Sequence, residues 1–270
     1  MYIRGFCFYM TETQKKYIED NIHLIENNDW KKFFEAAPYG IGGILYEAGI
    51  NFMKYIDVVP AEAFIRNEHL KSIDIPESIK SLGKHCFCNC HNLLSVHIPD
   101  TVTFIADGAF SGCSSLKDIV IPNSVTSIQD NVFYGCYNLT SVTLSEGIQT
   151  LSYGAFWNCS NLINITLPES LIEIEDFAFC KCEKLKSIVL PETLTIIGRY
   201  AFGGCDSLES IHIPKSVTKI GSNAFTDLNH LNIEYTGTAS EWRKLKLDSK
   251  AFNKTAYTCN CIDGIIKKSR

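Results

Sequence analysis

The chain has 270 residues, 46% of them hydrophobic, and a net charge of -5 with a pI near 5.8. That content suits a folded core and excludes disorder as the default, and the absence of any run of five like charges excludes the basic footprint that nucleic acid requires. No apolar stretch reaches the ~18 residues that span a bilayer and no cleavable leader is read at the amino terminus, so the expectation is a cytoplasmic protein without membrane insertion, its twelve cysteines kept as thiols.

In chain order, residues 11–27 read as an amphipathic helix, with Thr11 and Gln14 as a capping box and Ile18, Ile22 and Ile25 on one stripe. A second helix is expected to begin at Asp29 and to carry Trp30, Phe33 and Phe34. "GIGGI" at 40–44 lacks the preceding strand and third glycine of a phosphate loop. Residues 1–49 are therefore expected to form a helical amino-terminal cap.

From residue 50 onward one period takes over. Prolines 76, 99, 122, 168, 191 and 214 are spaced on a 23-residue lattice, with Ser145 in the single gap. Cysteines 90, 113, 136, 159, 182 and 205 share a second column, and phenylalanines 87, 110, 133, 156, 179, 202 and 225 a third. Leucines 70, 93, 116, 139, 162, 185, 208 and 231 form a fourth. Residues 50–70 keep the register more loosely, with Asn67 in place of the cysteine.

Within the unit 93–115, Leu93, Val96 and Ile98 alternate inward against Ser95 and His97, as a short strand requires. Ala109, Phe110 and Cys113 have the spacing of one tight helical turn on the same core. One unit cannot bury this face alone, so the units must stack, their parallel strands ~4.8 Å apart in one continuous sheet. About eight such coils are expected over 50–230. The remaining 231–270 reads as a carboxy-terminal cap, with a helix start at Thr238 answered by Glu241 and a final strand near 255–259.

The consensus IPxSVTxIGxxAFxGCxxLxxI resembles the BspA-like leucine-rich repeats, strictly over 70–230. The resemblance implies a right-handed repeat solenoid with a parallel β-sheet face, short helical turns, an α-helical first cap and an α/β last cap. It also implies a binding surface, since members of that family are mostly known as such, on bacterial cell surfaces and in some protists.

"HCFCNCH" at 85–91 invites a metal reading, but the lattice decides against it. Cys90 lies on the cysteine column, Cys86 on the column of Ala109, Ala155, Ala178, Ala201 and Ala224, and Cys88 on an outward column. Buried thiols act as small hydrophobes, and the Cys-x-Cys gap is not the common zinc spacing. Neither a metal nor a cofactor is expected. Disulfides along the ladder are not expected either, because parallel side chains suit disulfide geometry poorly. Cys7, Cys259 and Cys261 lie outside the register, and their redox state stays open.

His97 and His212 share a strand column five coils apart, ~24 Å at sheet spacing, and cannot cooperate. His69, His85, His91 and His230 fall on turn columns, where solvated side chains are expected. No familiar catalytic motif is present, so the chain reads as non-enzymatic.

Two surfaces remain for a protein partner. The strand face offers His97, Asp118, Thr143, Asn164, Thr166 and His212 as secondary candidates. The turn face carries Tyr134, Tyr137, Tyr153, Trp157, Phe177 and Tyr200 where other coils hold Asp, Gly, Asn or Ser, and aromatics of this kind concentrate at interface hot spots. Those six are the primary contact candidates, either for another protein or for a homo-oligomer mate. The alternatives are a cell-surface adhesin, a bacterial or phage inhibitor that sequesters a cellular protein, and an enzyme with a metal at 85–91.

Overall fold

One side of every coil has room for three strand residues, alternately out, in and out. Stacking such coils gives a parallel β-solenoid of about nine turns in the computed structural model, which describes residues 10–248 and 250–269.

On this first side Ser72–Asp74 pairs with Ser95–His97, and Asp118–Val120 with Ser141–Thr143. Ser187–Val189, Ser210–Ile213, His230–Tyr235 and Ala256–Cys261 then run on in parallel. The one continuous sheet expected from the repeat is therefore interrupted. Residues 164–166 form no strand, although Ile165 still points inward at 9% exposure. The same coil stays hydrogen-bonded on its other two sides, so the opening is confined to the strand face.

A second ladder, not foreseen from the sequence, follows the proline turn. Val58–Val59, Ser81–Leu82 and Phe104–Ile105 pair in parallel, Ile128 bridges Ile105 to Leu151, and Thr150–Leu151 continues through Glu173–Ile174, Ile196–Ile197 and Lys219–Ile220 to Lys246–Leu247. Two residues with one inward side chain carry too little periodicity to announce a strand.

The third side holds the expected tight turn, closed by i to i-3 bonds such as Cys88 N–H to the His85 carbonyl (3.0 Å). It does not lengthen into an α-helix, because two left-handed residues four positions apart recur in every coil: His85 and Asn89, Gly108 and Gly112, Asn131 and Gly135, and so on to Asn223 and Asp227. Their N–H groups turn instead to the next coil, as His85 does to Asp107 (2.9 Å) and Asn89 to Ser111 (2.7 Å).

The core is one ring per coil. Phe64, Phe87, Phe110, Phe133, Phe156, Phe179, Phe202, Phe225 and Phe252 stack with centroids 5.0–5.8 Å apart, and from Phe64 to Phe225 all are wholly buried. Beside them each column cysteine donates its thiol backward to the phenylalanine carbonyl of the preceding coil, from Cys90 to Phe64 (2.9 Å) through Cys205 to Phe179 (3.1 Å). A hydroxyl column does likewise, with Ser124 on Val102, Ser170 on Ile148 and Ser216 on Leu194. Identical neighbours thus satisfy each other's backbone along the whole stack.

Before the coils, the single helix expected over 11–27 is two, Glu12–Asp20 and Ile22–Glu26. Asn21 separates them: its backbone leaves the helical region (φ -115°, ψ 15°), and both its N–H (3.1 Å) and its side-chain amide (2.9 Å) donate to the Tyr17 carbonyl. The Thr11 and Gln14 capping box is present. Trp30–Phe34 follows, capped by Asp29, and Ile41–Glu47 is a helix the sequence reading missed. After the coils, Thr238 and Glu241 cap Ala239–Lys244, Trp242 is 2% exposed, and Gly264–Lys268 returns antiparallel against Ala256–Cys261. His230 begins a strand rather than a turn: it pairs with Ala256 of the last parallel strand, and Asn232 pairs with Ser210 at a step of 22 residues rather than 23.

The described cysteines are all free thiols. Cys259 and Cys261 share a thiol–thiol hydrogen bond at 3.7 Å and form no disulfide, and Cys7 lies outside the described residues. Burial pushes the Cys90 and Cys136 thiols up to about 12 and that of Cys180 to about 11. Cys88 and Cys261 are the half-buried ones among the described thiols, so near pH 8 the folded protein should alkylate fastest at these two, and unfolding without reductant should expose all twelve. Phe133→Ala should lower unfolding free energy by about 3–5 kcal/mol in urea titrations, since its ring is held between two others.

Candidate protein-interaction surface

Register brings the turn-face aromatics together. Tyr134 meets Trp157 edge to face at 5.3 Å, Tyr153 meets Trp157 at 6.4 Å and Phe177 at 5.5 Å, and Trp157, Phe177 and Tyr200 follow one another at 5.0 Å spacing. Five rings from four successive coils make one ridge. Tyr137, the sixth candidate, is 49% exposed and stands beside the ridge without a ring contact among the described residues.

The backbone beneath this ridge is unusual. The left-handed column holds Glu62, His85, Gly108, Asn131, Gly154, Phe177, Tyr200 and Asn223, and at Phe177 and Tyr200 φ is +62° and +55°. Glycine and asparagine tolerate that conformation; a bulky ring pays about 1–2 kcal/mol. Trp157 carries a second local cost, its indole nitrogen turned inward without a hydrogen-bond partner among the described residues. Neither feature could be read from column position alone.

Charge surrounds the rings. One outward column runs Asp107, Asp130, Tyr153, Asp176, Arg199, and backbone bonds from Asn131 to Tyr153 (2.8 Å) and Gly154 to Asp176 (3.0 Å) keep its members one coil apart. Glu175 accepts the Tyr153 N–H at 2.9 Å. Burial pushes its carboxyl above the ordinary range, and Glu173, Asp130 and Asp176 add repulsion against that hydrogen bond. The Arg199 guanidinium lies 5.7 Å from the centres of both Phe177 and Tyr200.

The strand-face candidates divide. Asn164, Thr166 and His212 line a shallow groove of about 370 Å³ where the first ladder opens, with Glu192 3.7 Å from His212. His97, Asp118 and Thr143 are outside it, and a second break in the first ladder falls between Ser95–His97 and Asp118–Val120. His85 is half-buried rather than solvated, with Nδ1 enclosed against Gly108. Among the described residues no group of three His, Cys, Asp or Glu could hold a metal ion, and no helix is long and apolar enough to cross a membrane.

Stacked coils of this geometry and sequence define a leucine-rich repeat solenoid. The family profile described as BspA type leucine rich repeat region matches residues 57–182, 103–232 and 149–260, and the chain belongs to that family. A leucine-rich repeat protein from Bacteroides ovatus is 29% identical with a TM-score of 0.59, over 75% of this chain and 59% of its own. One from Eubacterium ventriosum is 33% identical with a TM-score of 0.53, over 58% and 43%. The chain thus spans less than two thirds of either neighbour's length. No curated protein matches it.

Proposed function

We propose that the protein is a non-enzymatic binding scaffold whose partner, another protein, docks on the aromatic ridge of Tyr134, Tyr153, Trp157, Phe177 and Tyr200, with Tyr137 at its margin. The observation that carries this reading is the pair of rings at left-handed backbone positions. A sequence under selection for folding alone favours Gly or Asn there, as four of the other six coils have, Glu62 and His85 being the exceptions, and strain kept at a surface points to a use for the side chain. The rings are large, stiff and partly exposed, the properties of interface anchors. Repeat families of this kind present extended binding surfaces, and the membership shown above supports a scaffold. A reducing, cytoplasmic setting suits a core in which thiols serve as hydrogen-bond donors.

A photocrosslinking amino acid placed at Tyr137 and, separately, at Val189 on the strand face tests the reading in cells that make the protein. Adducts from Tyr137 that disappear with Trp157→Ala are the expected result. Adducts from Val189 alone would move the contact to the strand face.

A further inference from the structure

The ridge is not only aromatic. Tyr153 sits between Asp130 one coil before and Asp176 one coil after, and hydrogen-bonded stacking sets such neighbours ~4.8 Å apart. Glu175 lies against the Tyr153 backbone at 2.9 Å. None of these three carboxylates, nor Glu173, is in an ion pair among the described residues. Where the chain does supply a cation, at Arg199, its guanidinium lies beside the stacked pair of Phe177 and Tyr200, 5.7 Å from each centroid. Arg199 therefore sets one cation of the chain's own against this end of the ridge. The Tyr153 and Trp157 part of the same ridge has the carboxylates and rings but no such cation.

We propose that this part of the ridge binds a basic peptide segment, an arginine or lysine side chain lying against Tyr153 and Trp157 with its charge met by Asp130, Glu175 and Asp176. Cation and ring attract through the ring's quadrupole, and unpaired carboxylates on either side make the site selective for positive charge. A second copy of the chain is disfavoured as occupant, because the same surface on both partners would set carboxylates against carboxylates. Nucleic acid is disfavoured for the same sign of charge.

The inference rests on the ridge being the contact surface, and the test separates the two. Trp30 and Trp242 are each 2% exposed while Trp157 is more open, so tryptophan emission reports on the ridge. The probes are a short arginine–glycine peptide, the same peptide with citrulline for arginine, and a tyrosine–glycine peptide, each titrated into the full chain. The arginine peptide should shift the emission and bind at least about tenfold more tightly than the citrulline one, the scale of one cation–ring contact with its charge partner. Glu175→Gln and Asp176→Asn together should remove most of that advantage. Both keep an acceptor for the N–H groups of Tyr153 and Arg199, so they change charge without changing the fold.

Equal binding of the arginine and citrulline peptides, or preference for the tyrosine peptide with Trp157 still reporting, would overturn the basic-segment proposal and leave the ridge reading standing. Arginine-peptide affinity unchanged in Trp157→Ala, measured by fluorescence anisotropy of labelled peptide, would overturn both. A concentration-dependent dimer in sedimentation, lost in Trp157→Ala, would replace the peptide by a second copy and overturn the proposal.

Discussion

Every coil of this protein depends on the next one for its backbone hydrogen bonds and for a place to put its phenylalanine. The inward side of a coil is two short strands and a turn, too small to exclude water from even one ring. Stacking solves this with the same parts each time: ring on ring at 5.0–5.8 Å, thiol to the phenylalanine carbonyl behind it, hydroxyl to the carbonyl of the neighbouring turn. A buried thiol is a weak donor and a small hydrophobe, so cysteine fits both needs of its column. Two of the cysteines in residues 85–91 belong to that core, Cys86 and Cys90 being wholly buried with the Cys90 thiol donated to the Phe64 carbonyl.

A lattice this repetitive also turns any outward column into a row of near neighbours. Side chains that differ in sequence by 23 come within contact, which is how Tyr134 and Trp157, or Phe177 and Tyr200, meet. The turn face can vary freely because its backbone is held from both sides by inter-coil bonds, independent of the outward side chains. The rings at Phe177 and Tyr200 add strain to this face where glycine or asparagine would add none, and their mutual stacking at 9° returns part of it. The ridge is thus a local departure from the repeat, laid over a core that continues unchanged through Phe156, Phe179 and Phe202.

Much of this was legible from residue types at a fixed spacing. Inward columns and the adjacency of Tyr134 with Trp157 follow from the period, and the capping boxes at Thr11 and Thr238 from the Thr-x-x-Gln and Thr-x-x-Glu spacing. What escaped is what periodicity does not encode. Two-residue strands such as Ser81–Leu82 leave no alternation to read, and left-handed backbone at Phe177 runs against the preference of its own side chain. The opening at 164–166 arises in a unit whose consensus is intact, so no residue of the repeat announces it. Helix Ile41–Glu47 hid behind two glycines; an added Cβ at Gly42 would come within 2.9 Å of that of Ala63, so glycine there serves close packing rather than a loop.

The claim most open to direct contradiction is that the ridge rings serve contact and not stability. Urea unfolding of Phe177→Asn with Tyr200→Asn, which installs the residue that Asn131 and Asn223 place at the same left-handed backbone, measures it. The account predicts an unfolding free energy within about 1 kcal/mol of the parent, backbone relief offsetting the lost ring stacking. A loss beyond about 3 kcal/mol, the scale of a removed core ring, would make the ridge part of the fold's own packing and contradict it.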